Sequence, residues 1–126
     1  MKTDASERHG DDLRRRTKAF SGEIIRFFVA LDKSREEQRI LGRQVLRSAT
    51  SIGAQYREAS RARSPEEFVA KIKACIQEAD ETQYWLEFLR DDCGVTGPQV
   101  DSLWRESDEL ISIFVTMSKT TERGRR

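Results

Sequence analysis

The chain has 126 residues, 37% of them hydrophobic and 36% charged, and a formal net charge of +1. This length holds one domain with tails and leaves no room for two hydrophobic cores. The scarcity of Pro and Gly, at 2 and 7 residues, argues against a turn-rich β-sandwich or barrel. No apolar run is long enough to span a membrane, no signal peptide is recognisable, and 2 cysteines form no disulfide framework. We therefore expect a reduced, cytoplasmic, all-α protein.

The first half of the chain predicts a tail and two amphipathic helices. Residues 1–11 lack periodicity and are predicted to form a flexible tail, and a helix follows from about Asp12 to Leu31. Ser34 and Glu37 have the spacing of a capping box, which predicts the start of a second helix that fades near residue 63. The predicted buried stripes are Phe20, Ile24, Phe27, Phe28 and Leu31 on the first helix, and Leu41, Val45, Ala49, Ile52, Tyr56 and Ala59 on the second.

Small side chains crowd the second half of the second helix, from Ser48 to Ala54. They include Gly53, and a glycine inside a helix costs about 1 kcal/mol relative to alanine. A close approach by a neighbouring helix would explain this cost. We therefore predict tight helix packing at Gly53.

The second half of the chain predicts two more helices. Ser64 is expected to cap a third helix, with Pro65 in its first turn and Glu67 completing a capping box, and Gly94 marks its end. A fourth helix follows, and residues 120–126 are predicted to form a basic tail. The predicted stripes are Phe68, Ile72, Cys75, Ile76, Ala79, Gln83, Leu86 and Leu89, and then Val100, Leu103, Trp104, Ser107, Leu110, Ile111, Phe114 and Met117.

The predicted architecture is an all-α, antiparallel up-down-up-down four-helix bundle over residues 12–119. Its charge is divided unevenly, since residues 1–63 carry 15 Lys+Arg and 9 Asp+Glu, whereas residues 64–126 carry 8 Lys+Arg and 13 Asp+Glu. A folded bundle places its helices side by side, so its surface can have a basic face and an acidic face. The basic face can meet phosphate or the acidic face of another subunit, and the sequence alone leaves both partners open.

No catalytic or metal-binding constellation is recognisable in the chain. Its only histidine, His9, falls in the predicted tail, which argues against a ferritin-like di-iron site and leaves a Ser or Cys nucleophile without a base. Cys75 lies on an apolar stripe and Cys93 lies near a helix end, and neither has a partner that is typical of catalysis. We therefore predict a protein that is not an enzyme and that needs no metal or other cofactor.

One carboxylate pattern resembles a magnesium site. Glu78 and Glu81 are spaced to share a helix face, and so are Glu106 and Glu109, as in the all-helical nucleotide pyrophosphohydrolases. The last position of that pattern is usually Asp, and a chain so rich in charge produces such pairs by chance. Solvated helix faces or ion pairs between helices are the competing interpretation. A Mg²⁺-dependent nucleotide pyrophosphohydrolase is therefore kept as a remote alternative.

Four arginines recur at every fourth position of the second helix: Arg35, Arg39, Arg43 and Arg47. Successive members are rotated by about 40°, so all four stay within about a third of the helix circumference. Arginine suits phosphate oxygens, and no aromatic residue is interleaved to stack on bases. We predict that these four residues bind nucleic acid by its phosphates or its shape. A solvated face or a subunit contact is the alternative interpretation.

Adjacent aromatic residues predict an exposed ring on the third helix. Tyr84 and Trp85 cannot share one helix face, so one of the two rings is expected to lie partly outside the core. An aromatic flank on a small bundle is typical of an oligomer contact.

The segment from Arg43 to Leu89 carries a recognisable set of polar and apolar positions. They are Arg47, Ser48, Ala49, Ser51, Ile52, Glu58, Ala59, Ser64, Glu67, Phe68, Glu78, Glu81, Thr82, Tyr84, Trp85 and Leu86. In this pattern the chain resembles the four-helix bundle family first noticed in intervening sequences of bacterial 23S rRNA genes. Gln55 stands where that family usually has Asn.

The resemblance implies assembly rather than a chemical reaction. The family is similar to the accessory variability determinant of diversity-generating retroelements, a pentameric barrel of four-helix bundles that binds nucleic acid and a reverse transcriptase. It therefore implies a homo-oligomer, a pentamer by analogy, in which Glu78 and Glu81 are structural positions. A ring can set the basic surface of one subunit against the acidic surface of the next.

Residues and resemblance together predict a non-enzymatic homo-oligomeric bundle that binds structured RNA or a ribonucleoprotein. The predicted binding surface is the basic face of the second helix. The alternative is a protein-interaction scaffold without nucleic-acid binding, in which the basic and acidic faces pair between subunits.

Overall fold

Four long helices make up the protein in the computed structural model, which describes residues 5–124. They are α1 (Ala5–Ala30), α2 (Glu36–Ala59), α3 (Pro65–Asp91) and α4 (Pro98–Gly124), joined by short loops. Helix α2 contacts α1 and α3, and α4 contacts α3 and α1, so the four helices close a ring around the core. The predicted all-α four-helix bundle is therefore confirmed.

Contacts between neighbouring helices show that they run antiparallel. Along α1 and α2, Arg14 bonds to Ser60 at one end, whereas Leu31 packs against Gly42 at the other end. The same inverse numbering relates α2 to α3 and α3 to α4, in the pairs Ser48–Thr82, Glu58–Lys71, Gln83–Asp108 and Arg90–Asp101. The chain thus follows the up-down-up-down path that its short loops predict.

The core lies between the four helices and receives large side chains from each of them. The largest fully buried apolar side chains are Phe20, Phe114, Leu13, Ile24, Ile52, Ile72, Leu86, Leu89 and Leu110. The predicted stripes are confirmed, with Phe28, Leu41, Phe68, Ile76, Trp104, Ile111 and Met117 half-buried at their edges. Within residues 5–124, no helix has the length and apolar character needed to cross a membrane.

The outer helices are longer than predicted. Helix α1 begins at Ala5 instead of Asp12, and α4 continues to Gly124 through most of the segment predicted as a basic tail. Leu13 and Thr17, which precede the predicted stripe, are fully buried, and Tyr56 of α2 donates its hydroxyl to the carbonyl oxygen of Gly10, in the added length of α1, at 3.3 Å. The remaining residues of the two predicted tails, 1–4 and 125–126, lie outside the described part of the chain.

The two predicted capping boxes have different outcomes. Ser64 accepts a hydrogen bond from the backbone N of Glu67 at 3.0 Å, so the predicted cap of α3 is confirmed. Ser34 instead donates its hydroxyl to Asp32 Oδ1 at 2.6 Å, and the residue that precedes α2, Arg35, makes no side-chain cap. The predicted cap at Ser34 is wrong because Asp32 Oδ1 also accepts from Ser34 N at 3.0 Å and holds Ser34 in a turn, and the first hydrogen bond of α2 runs from Arg39 N to Arg35 O at 3.0 Å.

A left-handed glycine ends α3, as the sequence predicts. Gly94 has φ +73°, a conformation that side-chain-bearing residues rarely adopt. This turn lets the backbone N of Val95 reach the carbonyl of Leu89 at 2.9 Å and satisfy the helix end.

Helix α1 packs directly against α2 at Gly53, where the sequence predicts a close approach. A Cβ atom on Gly53 would lie 3.4 Å from Thr17 Oγ1 and 3.7 Å from the backbone carbonyl carbon of Thr17, which is ordinary van der Waals contact. Gly42, near the start of α2 and outside the small-residue segment, has less room, because a Cβ atom there would lie 2.6 Å from Leu31 Cδ1 and 3.3 Å from Phe28 Cδ1. The sequence did not indicate this second position.

Candidate nucleic-acid interface

The predicted arginine stripe lies on the solvent-facing side of α2. Arg35 immediately precedes the helix, and Arg39, Arg43 and Arg47 follow at intervals of one turn. Arg35, Arg43 and Arg47 are exposed, and Arg39 is half-buried. The regular helix from Glu36 onward therefore brings these four guanidinium groups to one side of the bundle.

Ion pairs divide the stripe into two halves. Arg35 Nη2 lies 3.1 Å from Glu37 Oε2, and Arg39 Nη2 lies 3.3 Å from Glu36 Oε1. Such exposed pairs contribute little to stability, but they offset part of the positive charge at this end of α2. Arg43 and Arg47 form no ion pair with the side chains of residues 10 and 12–124, which are the side chains that the structure describes. They are the members of the stripe that are available to an external anion.

Arg47 marks the edge of the basic surface, because a carboxylate of α3 lies near it. Burial and the neighbouring charge of Glu81 raise the pKa of the Glu78 carboxyl, and the positive charge of Arg47 opposes this shift. Glu78 and Glu81 are both half-buried. The boundary between the basic and acidic surfaces therefore runs along the side of α2 that faces α3.

A groove of about 460 Å³ between α1 and α2 extends the basic surface. The cations that line it are Arg14, Lys18, Arg57 and Arg61. Arg57 comes fourteen residues after Arg43, which places it within about 40° of the same side of α2 and about 21 Å further along the helix, and Arg61 lies in the turn that follows α2. The exposed half of the stripe and the groove thus follow one side of α2.

Two of the groove cations belong to α1 and were not singled out in the sequence. Arg57 and Arg61 continue the positive character of α2, but Arg14 and Lys18 lie in a different helix, near the predicted tail. The signal that could have found them is their one-turn spacing, combined with an antiparallel register that sets Thr17 against Gly53.

The two carboxylate pairs of the magnesium hypothesis lie against different helices. Glu106 and Glu109 of α4 both accept hydrogen bonds from Arg16 of α1, whereas Glu78 and Glu81 lie on α3 beside α2. Among the side chains of residues 10 and 12–124, no three His, Cys, Asp or Glu groups are placed so that they could hold a metal ion. The geometry therefore supports the interpretation of Glu106 and Glu109 as partners in inter-helix ion pairs.

The two thiols differ in their surroundings. Cys75 is fully buried and donates a long hydrogen bond to the carbonyl of Ile52 at 3.7 Å, and burial raises the pKa of its thiol to about 12. Cys93 is half-buried, and its thiol pKa is raised mainly by burial. Neither thiol is ionised near neutral pH, as a nucleophile would need to be. The side chain of His9 lies outside the described part of the chain.

An aromatic cluster forms the outer surface of α3. Tyr84 is 53% exposed, and its ring packs edge-to-face on Trp85 and Phe88 at centroid distances of 5.0 and 4.9 Å. Trp85 is half-buried, so the prediction of one ring outside the core is confirmed for Tyr84. Trp85 Nε1 and Gln55 Oε1 are buried atoms without a hydrogen-bond partner among the described residues.

Comparison with known proteins shows the family of this four-helix bundle. Residues 12–116 match the family described as 23S rRNA-intervening sequence protein. The chain belongs to that family. A crystal structure of a protein with unknown function, from the S23 ribosomal protein family of Bacteroides thetaiotaomicron, is similar over 87% of this chain and 97% of its own, with 31% sequence identity and a TM-score of 0.79. No curated protein shows significant similarity to this 23S rRNA-intervening sequence protein.

Proposed function

We propose that this 23S rRNA-intervening sequence protein is a cytoplasmic, non-enzymatic homo-oligomer that binds structured RNA or a ribonucleoprotein. Its binding surface is the basic face of α2, with Arg35, Arg39, Arg43 and Arg47. The observation that carries the proposal is that Arg43 and Arg47 are exposed and form no ion pair with any side chain that the structure describes. Two exposed guanidinium groups one helical turn apart suit neighbouring phosphates of a nucleic-acid backbone.

The direct test measures fluorescence anisotropy of a labelled RNA hairpin with the protein over a salt series. Phosphate contacts predict a steep fall of the logarithm of affinity with the logarithm of salt concentration. The variant Arg43→Gln/Arg47→Gln should bind roughly tenfold more weakly, with a salt slope reduced by about 2. An RNA hairpin that fails to bind at low salt would contradict the proposal.

The matched control is Arg35→Gln/Arg39→Gln, which removes the same charge from the same stripe. Because Arg35 and Arg39 are already paired with Glu37 and Glu36, this variant should weaken binding less. A larger loss in the control than in Arg43→Gln/Arg47→Gln would overturn the assignment of the unpaired half as the binding surface.

Self-association is supported by the aromatic cluster on α3 and, for a pentamer, by the family resemblance. The exposed Tyr84 ring, backed by Trp85 and Phe88, has the amphipathic character typical of interface centres. Tyr84→Glu should therefore lower the mass measured by light scattering without loss of helicity. A monomeric wild-type protein would refute the homo-oligomer.

The second candidate function is a protein-interaction scaffold. It is favoured by the ion pairs of Arg35 and Arg39, since a stripe that already binds its own carboxylates offers less charge to RNA. In this case the basic face of α2 would pair with an acidic face of another subunit. Light scattering against salt discriminates, because a charge-paired assembly should dissociate once exposed charges are screened.

A further inference from the structure

The groove between α1 and α2 has cationic walls and a floor of small side chains. Arg14 and Lys18 are one turn apart on α1 and span about 6 Å along it, whereas Arg57 lies in the last turn of α2 and Arg61 lies in the turn that follows the helix. Thr50, Gly53 and Ala54 of α2 line the space between the walls. Short side chains at these positions leave room for a ligand to approach both helices.

Most cations of this groove have no carboxylate partner among the side chains that the structure describes, those of residues 10 and 12–124. Lys18, Arg57 and Arg61 form no ion pair with them, and Arg14 donates to the neutral hydroxyl of Ser60 at 3.0 Å. Glu58 also lines the groove, but its carboxylate is in an ion pair with Lys71 of α3. The groove therefore has four cations and one carboxylate, and that carboxylate is paired with a lysine of α3 and not with the cations of the groove.

The polar groups on the groove floor are not arranged to read bases. Thr17 donates its hydroxyl to Leu13 O at 2.8 Å, and Thr50 donates to Leu46 O at 2.7 Å, so both donors are occupied within their own helices. The groove is lined by no aromatic residue among those described. What it offers is charge and shape, which suit the phosphate backbone and are independent of sequence.

We infer that the groove between α1 and α2 holds the phosphate backbone of the RNA and is the second part of a track that starts at Arg43. This inference rests on the proposed RNA-binding function and places a contact site where the arginine stripe alone does not reach. From Arg43 to Arg57 the track runs about 21 Å along α2 and continues to Arg61 in the turn that follows, so one folded RNA can contact both parts at once. The α1 wall, Arg14 and Lys18, makes the site depend on the packing of two helices.

The test compares two triple variants that remove the same charge from different surfaces. The groove variant is Lys18→Gln/Arg57→Gln/Arg61→Gln. The control variant is Arg26→Gln/Arg105→Gln/Lys119→Gln, which removes three exposed cations outside the groove. Anisotropy of a labelled RNA hairpin over a salt series should show a roughly ten- to hundredfold loss of affinity and a salt slope smaller by 2 to 3 for the groove variant. The control should lose severalfold less.

A steric variant tests the same site without a change of charge. Ala54 is exposed in the groove, so Ala54→Phe fills the space with a ring while the helix is kept. We expect weaker RNA binding at unchanged helicity, measured by circular dichroism. If Ala54→Phe binds like the wild type and the groove variant loses no more affinity than the control, the inference is overturned.

The outcomes separate this inference from the proposed function. If the wild-type protein does not bind the hairpin at low salt, both fail. If Arg43→Gln/Arg47→Gln loses binding while the groove variant behaves like its control, the function stands and the groove assignment falls. If instead the groove variant changes the mass of the oligomer and leaves RNA affinity intact, the groove binds an acidic surface of a second copy, and the inference is wrong.

Discussion

The guanidinium group of Arg16 on α1 donates two hydrogen bonds to the carboxylate of Glu106 on α4. Arg16 Nε donates to Oε2 and Nη2 donates to Oε1, each at 2.7 Å, and Nη2 also lies 2.9 Å from Glu109 Oε1. The bond to Glu106 is the main cause of the raised pKa of this guanidinium. Helices α1 and α4 share the fewest close contacts among the neighbouring pairs. The ion pairs of Arg16 with Glu106 and Glu109 therefore join the two neighbouring helices that pack least extensively on each other.

Removal of this guanidinium should loosen α1 from α4. Arg16→Ala breaks a two-pronged, partly buried ion pair, so we expect the free energy of unfolding to fall by about 1–2 kcal/mol in urea titrations. Arg15→Ala is the matched control, because Arg15 pairs with Asp12 within α1 and both side chains are at least 70% exposed. Its effect should be within about 0.5 kcal/mol. Equal effects of the two variants would contradict a special role for Arg16.

Two glycines of α2 should respond in opposite ways to alanine. Gly53→Ala adds a methyl group at ordinary contact distance from Thr17 and gains helix propensity, so stability should rise by up to about 1 kcal/mol. Gly42→Ala places a methyl group 2.6 Å from Leu31, so a buried side chain must move and the gain should be cancelled or reversed. Thermal unfolding of both variants provides the measurement. A Gly42→Ala protein more stable than Gly53→Ala would show that Leu31 moves at no cost.

The two serines that look alike in sequence should differ in their contribution to stability. Ser64 caps α3 by accepting from Glu67 N, so Ser64→Ala should cost about 1 kcal/mol. Ser34 donates to Asp32 and caps no helix, so Ser34→Ala should lower the free energy of unfolding by only a few tenths of about 1 kcal/mol. Chemical denaturation of the two single variants measures both values. Similar losses would indicate that Ser34 supports the start of α2 in solution.

The periodicity of the sequence determined the four helices and their buried faces, because helical spacing of apolar residues is a local property. What it missed was set by contacts between distant segments. Leu13 and Thr17 are buried because α1 continues beyond its large apolar residues, and Gly42 is needed because Leu31 packs over it. The start of α2 is a local exception, because a turn in which Asp32 accepts from Ser34 delays the helix until after Arg35.

The candidate interface shows the same division between local and distant information. The positions of Arg43 and Arg47 on one side of α2 follow from their spacing, and the structure places them there. The pairing of Arg39 with Glu36 is equally local, since the two residues are three positions apart on one helix. The groove could not be predicted, because it exists only when the antiparallel register brings Arg14 and Lys18 beside Arg57.

The two cysteines should differ sharply in reactivity towards Ellman's reagent. Burial raises the pKa of the Cys75 thiol from its ordinary value of 9.0 to about 12, and the side chain is inaccessible, so it should react only after unfolding. Cys93 is half-buried with a raised thiol pKa, so it should react slowly in the native protein and faster as pH increases above 8. Native Cys93→Ser protein should therefore show no reactive thiol until denaturant is added.

The same shift predicts how Cys75 affects stability at alkaline pH. Above about pH 9 the unfolded chain releases the Cys75 proton while the folded protein, with a pKa of about 12, retains it. The unfolded state then binds fewer protons than the folded state, so the free energy of unfolding falls as pH rises through this range. Cys75→Ala removes this loss, and its stability deficit relative to the wild type should shrink between pH 8 and pH 10.5 in urea titrations. A deficit that stays constant over this range would mean that the folded thiol ionises as readily as the unfolded one.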